Sequence, residues 1–462
     1  MSRKSTFLLA IFAYVTLLLL AILFYKERTV IMDVSFLIFS TIHDQSFAIQ
    51  CFRFGAVLTQ IFPVVTSLFH LPLSWIAISC SVSFIIYYFT CFIVCFRFFK
   101  DEKMALVLLL FNTIMVSHTF YWIQCELIQG TALTVVYFSA LGFIMQKQKI
   151  KIGWWVLLFI LNVTCCFFHP SIVFLFFFLT FYFLISYSEQ KKMILLSLLV
   201  FCLAAAVKNI FFKTQYDTDS MSGLKHIAEM FPNYFKVPSN HAFINWCLTD
   251  YWFVPILLFA SIFIYVKTKA WKKLSVLIFF FFGYLFVVNM VMPSWCQQFY
   301  YEAQYQILAV MVAVPFVFDV LPRIKKQNVK TILLSGMMII CVARIYSNHT
   351  YYSMRLNWHR NFLNRTAHAE NKKIILPPNY VSSDTMLLTW GSSFEFWLLS
   401  TIETGESRSI IMEERQNEFD QFLPANNKFI TMWQTLEYDK LDKKYFIFND
   451  TTAYKKYLPN RK

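Results

Sequence analysis

The residues able to do chemistry in this chain collect in a few breaks between long apolar runs. The first break holds Glu27, Asp33, His43, Asp44 and Arg53. The second holds His118, Trp122, Gln124 and Glu126, and the third is the turn His169-Pro170. A fourth holds Trp295, Gln297, Gln298, Tyr300, Tyr301 and Glu302. Ionisable groups beside membrane spans are costly, so they mark functional positions. A carboxylate at a membrane edge can act as general base on a hydroxyl. Nearby cations, here Arg53, Lys208 and Lys213, can bind a phosphate and stabilise it as it leaves. Aromatic faces suit sugars and lipid chains. Together these needs describe transfer of a sugar from a lipid-linked phosphate donor to a hydroxyl, with His43, Arg53, Glu126, His169 and Glu302 as expected substrate contacts.

Each residue also has a plainer reading. Asp33 can cap an interfacial helix, and Asp44 can be the N-cap of a helix over Gln45–Phe54. Arg53 can snorkel to headgroups. Glu126 and Glu302 start spans, where the helix dipole favours an anion. His169 before Pro170 can be a turn with a hydrogen-bonded imidazole. Asp217-Thr218-Asp219 has the spacing of a metal-binding acidic pair but reads as a solvated turn. No cofactor is expected, and a divalent metal lacks a visible third ligand. Gly391 in Trp390-Gly391-Ser392-Ser393 reads as a turn into a helix. No GxxxxGK[ST] or GxGxxG motif supports nucleotide binding.

The surrounding sequence says what must position these groups. Hydrophobic residues are 58% of the 462 and charged residues 15%, with 54 Phe. That composition excludes an ordinary soluble domain, which carries about 25% charged residues. The net charge of +15 would fit nucleic acid in a soluble protein, but here basic residues mark the cytoplasmic ends of spans, so no nucleic-acid partner is expected. The 11 cysteines form no CxxC pair, and none lies beyond Cys341. A disulfide framework is thereby excluded from the C-terminal part.

Eleven runs are long and apolar enough to read as spans: 6–25, 73–97, 104–120, 127–145, 153–168, 171–187, 193–211, 252–266, 274–293, 303–321 and 331–347. Ser2-Arg3-Lys4 before the first, with no small-x-small cleavage site after it, reads as an uncleaved signal anchor. Basic residues then crowd alternate loops, at Arg97, Lys100 and Lys103, at Lys147, Lys149 and Lys151, at Lys272 and Lys273, and at Lys325 and Lys326. The loops near 121, 169 and 297 hold none. The alternation predicts a cytoplasmic N-terminus, an extracytoplasmic C-terminus and chemistry facing outward. It also makes residues 26–72 a large first outer loop and 212–251 a second. Within the first, Ser46, Gln50, Arg53 and Gln60 recur at helical spacing and predict one wet stripe on an interfacial helix.

Residues 1–347 thus form an all-α polytopic transmembrane domain, and 348–462 a small extracytoplasmic α/β domain. In the latter, strands are expected at Lys373–Leu376, Met386–Thr389, Ser409–Met412, Phe429–Trp433 and Tyr445–Phe448. Helices are expected at Phe394–Ser400 and Glu413–Phe422. The bias toward Phe, Lys, Ile and Asn fits an AT-rich bacterial genome, so the expected location is a bacterial inner (plasma) membrane.

This arrangement resembles the GT-C superfamily of integral-membrane glycosyltransferases. The likeness is architectural and covers the whole chain: a cytoplasmic N-terminus, an acidic first outer loop, about eleven spans and an outer C-terminal domain. It implies a polyprenyl-phosphate sugar donor, a glycan, lipid or protein acceptor, and a first-loop carboxylate as catalytic base, which here is Asp33 or Asp44. Two other readings stand beside it. An O-antigen-type polymerase or ligase would share the substrates. A transporter or flippase for lipid-linked glycans would use Gly and Pro to break helices, and this chain has only 9 Gly.

Overall fold

Apolar runs of this length can satisfy their backbone in lipid only by coiling into helices. The computed structural model describes residues 2–294, 297–369, 371–378 and 380–457; Trp295 and Cys296 lie outside the described residues. The helices run α1 Arg3–Leu23, α2 Tyr25–Thr29, α3 Met32–His43, α4 Val57–Leu68, α5 Leu73–Ile93, α6 Glu102–Ile114 and α7 Glu126–Met145. Next come α8 Ile152–Cys166, α9 Ile172–Ser186, α10 Lys191–Phe211, α11 Gln215–Ser222, α12 His226–Glu229, α13 Pro238–Thr249 and α14 Phe253–Lys267. The last are α15 Trp271–Val291, α16 Gln298–Pro315, α17 Gln327–Ser347, α18 His349–Arg365, α19 Ser383–Met386 and α20 Ser392–Thr404.

Seven helical rods among the described residues are long and apolar enough to cross a membrane, or eight if α13 and α14, bent by 91°, count as one. Each of the eleven expected runs contains a helix. Yet α6 has 13 residues and α8, α9 and α14 have 15 each, against the ~20 that a bilayer needs. Helix length alone therefore supports the integral membrane class and not the count of about eleven. The long central rods are covered by protein: 94% of the α7 window and 78% of the window beginning with α16 are buried, against 22% around α10. The outer helices accordingly turn apolar side chains, such as Leu199, Leu203 and Phe279, away from the protein.

Basic loops gather at one rim of the bundle. Arg3 donates to Phe96 O at 2.9 Å, and Arg97 lies over the Phe7 ring. Lys103 lies over Phe318, and Lys273 pairs with Asp319 at 2.8 Å.

The first loop departs from expectation. Residues 45–53 are not helical, and Gln45, Cys51 and Phe52 have positive φ. The wet stripe over Ser46, Gln50, Arg53 and Gln60 is therefore not one helix face. Gln60 instead reaches back to Ala48, accepting from its N–H at 2.7 Å and donating to its carbonyl at 3.0 Å. Those two bonds satisfy the extended backbone that a helix would otherwise have satisfied.

The rod Gln327–Arg365, formed by α17 and α18, runs through residues 347 and 348 without ending. It delivers the chain to a small α/β module with strands β1 Ile374–Leu376, β2 Ile410–Met412, β3 Lys428–Ile430, β4 Thr435–Glu437 and β5 Lys455–Lys456. A parallel sheet has the order β2-β1-β5, and β3 pairs antiparallel with β4. The first two strands are joined through α20, as parallel strands require a crossover. Three sequence expectations fail here. Met386–Thr389 is the end of α19 and a turn, with Leu387 at φ 61°. Tyr445–Phe448 is not a strand, although Tyr445 O and Ile447 O accept from Trp397 Nε1 and Ser407 N–H. Glu413–Phe422 is a run of turns that includes a 3-10 turn at Asp420–Phe422; the Glu418 side chain accepts the Glu414 and Arg415 N–H groups, and the Glu413 side chain accepts the Phe419 N–H.

Candidate functional site

The chain breaks between α6 and α7, and that break builds the site. A helix end away from water leaves carbonyls and N–H groups that need partners. Arg344 of α17 provides the donors, reaching Thr113 O at 2.6 Å, Val116 O at 2.9 Å and Ile114 O at 3.2 Å. Glu302 of α16 provides the acceptors. It takes the N–H groups of Ser117, His118 and Thr119 at 2.7, 3.0 and 2.7 Å, and the hydroxyls of Thr119 and Tyr251 at 2.5 and 2.7 Å. Arg28 fixes the far side of the break, donating to Phe120 O and to the Ser81 hydroxyl and carbonyl.

With the break held, Trp122, Gln124 and Glu126 face the first loop. Trp122 Nε1 donates to Asp33 Oδ2 at 2.8 Å. Its indole stacks on Tyr300 with centroids 5.7 Å apart and meets Phe299 edge-on at 5.0 Å. Asp33, in the first turn of α3, is half-buried and has no other side-chain donor among the described residues. Glu126 takes Arg53 Nη1 at 2.9 Å on one oxygen and Gln124 Nε2 at 3.3 Å on the other. Arg53 also lies 3.8 Å from Asp217 Oδ1 and 5.4 Å from the Tyr216 ring centroid, and Tyr216 in turn meets Tyr300. Asp33, Trp122, Tyr300, Tyr216, Arg53 and Glu126 are thus linked by one chain of contacts.

Local chain geometry places Arg53. The Gly55 N–H donates to Phe167 O at 3.1 Å. A Cβ on Gly55 would fall 2.5 Å from the Phe168 ring, so only glycine lets this turn close on the α8–α9 turn. That turn carries His169, whose Nδ1 accepts the Ser171 N–H at 3.2 Å. Lys208 lies behind, donating to Cys166 O at 2.8 Å.

The electrostatics follow from burial and neighbours. Burial, then the Glu126 and Glu395 charges, raise the Asp33 pKa to about 7 despite the Trp122 donor. Burial opposes the charge of Arg53, but Glu126 outweighs it and the guanidinium is held more firmly protonated. Burial, then the Arg53 and Lys208 cations, push His169 well below its ordinary range and keep the imidazole neutral. Two polar atoms here, Arg53 Nε and Gln124 Oε1, are buried with no partner among the described residues.

The structure therefore brings Asp33, Arg53 and Glu126 together, with His169 behind Arg53. It sends other expected residues elsewhere. His43 and Asp44 sit at the opposite end of α3, about 15 Å along its axis at 1.5 Å per residue. His43 stacks on Phe39. Asp44 is exposed at the C-cap of α3, and no helix follows for it to N-cap. Glu302 is fully enclosed by its donors. Asp217 is helical rather than a solvated turn, and Asp219 faces Gln215 rather than its neighbour in the acidic pair. Among the described residues no group of three or more His, Cys, Asp or Glu gathers as metal ligands. Sequence reasoning missed Arg28, Arg344, Arg355, His359 and Glu395, all of them buried. Arg344 carries a usable signal, a charge inside an apolar run; the last three carry none.

No family model, curated protein or solved structure matches the chain. The protein is a helical integral membrane protein with a buried Arg53–Glu126 pair and a small α/β module.

Proposed function

We propose that the protein is a membrane glycosyltransferase that moves a sugar from a lipid-phosphate donor to an acceptor hydroxyl on the extracytoplasmic face. One observation carries this reading: a half-buried carboxylate with one side-chain donor, Asp33, feels the charge of Glu126, which pairs with Arg53, while its donor Trp122 stacks on Tyr300. Asp33 takes the proton of the acceptor hydroxyl. The freed oxygen attacks the anomeric carbon, the bond from that carbon to the phosphate oxygen breaks, and the configuration inverts. Arg53 receives the charge that develops on the departing lipid phosphate, and Glu126 holds its guanidinium in place. The unpaired Arg53 Nε and Gln124 Oε1 offer a donor and an acceptor to the substrates. Trp122 and Tyr300 offer flat faces for a sugar ring. A base whose pKa is about 7 is matched to neutral pH.

The same reading takes α6, α8, α9 and α14 as short spans, giving about eleven, with the basic rim in the cytoplasm. The test is deletion of the gene, followed by analysis of surface glycans and of lipid-linked sugars. A transferase leaves its lipid-linked donor accumulated and one glycan linkage missing. Unchanged glycans and lipid pools would end the proposal, and donor trapped on the cytoplasmic leaflet would mark a flippase.

A further inference from the structure

We propose that the α/β module is a working part of the Asp33 site: Glu395, held by Arg355 and His359, caps the first turn of α3 and thereby positions Asp33. The inference rests on reading Asp33 as the reactive carboxylate. It starts from a missing local cap. The first N–H groups of a helix need acceptors, usually a Ser, Thr, Asp or Asn just before it. The N-cap of α3 is Ile31, which has no side-chain cap bond. The acceptor comes from 363 residues away, where Glu395 Oε1 lies 2.5 Å from Met32 N. A carboxylate at that position also complements the helix dipole.

Glu395 is itself fully buried and held on every side. Arg355 Nη2 reaches both carboxylate oxygens at 2.5 Å, and His359 Nε2 lies 3.0 Å from Oε2. Arg355 Nη1 donates to Val30 O at 2.8 Å, so one guanidinium grips both the module and the chain leading into α3. Backbone contact adds a third hold: a Cβ on Gly391 would lie 2.5 Å from Met32 Cα. Further along, Phe36 and Phe39 pack on Phe394 and Trp397. Val30 and Met32 are thus fixed by α18, by α20 and by the turn before it. Asp33 is the next residue, and its partner Trp122 reaches it from the other side. The charged groups acting on Asp33 are Glu126 and Glu395. A second link between module and bundle, Glu403 with Lys26 and Arg360, engages α2 and α18 and leaves α3 alone.

The test reads Asp33 directly. Dicyclohexylcarbodiimide modifies protonated carboxyls, so its adduct on Asp33, followed by peptide mass spectrometry across pH, reports the proton affinity of that residue in the full-length protein. It reads Asp33 whether or not sugar is transferred, so this proposal and the transferase reading can fail separately. Glu395→Gln removes a neighbouring negative charge and should move the labelling midpoint down by about 0.5 to 1 pH unit. Gly391→Ala pushes on Met32, loosens the Trp122 bond and should move the midpoint up. Glu403→Gln should leave it in place. If Glu395→Gln does not fold, Gly391→Ala and Arg355→Lys decide. Midpoints equal to wild type in every folded variant, or a shift in Glu403→Gln as large as the others, would overturn the proposal.

Discussion

Two acids, Glu302 fully buried and Asp33 half-buried, lie on either side of one chain break, and their surroundings are opposite. Glu302 faces the break from α16 and accepts five hydrogen bonds, three of them from consecutive backbone N–H groups. Asp33 faces the same segment a few residues on and accepts one side-chain bond, from Trp122. A carboxylate whose lone pairs are filled by the protein is a structural part. One left half-buried with a spare oxygen can accept a proton from something else. Burial alone does not pick out the chemical acid here. Saturation does.

The comparison can be broken first at Glu302. Glu302→Gln places an amide against donors and leaves backbone N–H groups unpaired, which should cost about 3 kcal/mol or more. Thermal unfolding in detergent measures this, and a loss below about 1 kcal/mol would make the two acids alike. Glu126→Gln comes next: it frees Arg53 from its anchor and should lower donor turnover about tenfold to a hundredfold while the fold persists. Donor-dependent kinetics check it, and wild-type kcat/KM would remove Glu126 from the site.

A smaller effect is a pH slope. The ordinary value of 3.8 for the Asp33 carboxyl rises to about 7 in the folded protein. Between those values the folded state keeps a proton that the unfolded chain releases. Its contribution is therefore most favourable below the window, falls as pH rises through it and levels off above about 7. Unfolding temperatures of wild type and Asp33→Asn should diverge in that window. Parallel curves would show that Asp33 titrates normally.

The smallest perturbation sharpens sidedness. Gln416 in the module and Gln148 in the α7–α8 loop are both exposed. A cysteine at 416 should react with an impermeant thiol reagent from outside, and one at 148 only after permeabilisation. The reverse pattern would place Asp33 and Arg53 on the wrong face for a lipid-linked donor carried outside.

Much of the fold is legible in the sequence, because apolar runs and basic loops are local signals. α7 and α16 announce themselves in this way. Where α6 stops is not legible. The expected run to residue 120 ends as a helix at Ile114, since Arg344 and Glu302 take up the backbone groups of the next turn from more than 180 residues away. Strands β1 and β2 are legible from their branched apolar residues, whereas Tyr445–Phe448 shows the same pattern without a strand ladder. At the site, Asp33, Arg53 and Glu126 stand out as charges between apolar runs. Asp44 stands out equally, and nothing in its neighbours says that it caps the wrong end of α3. Partner choice is what sequence lacks: Trp122 meets Asp33 across 89 residues, and the cap of α3 comes from another domain.

The most direct measurement is complementation of a deletion strain with Asp33→Asn, beside an Asp44→Asn control, with protein level and unfolding temperature recorded for both. The account predicts a well-folded Asp33→Asn protein whose product falls by about a hundredfold to ten-thousandfold, while Asp44→Asn restores the glycan. Full restoration by Asp33→Asn would contradict it.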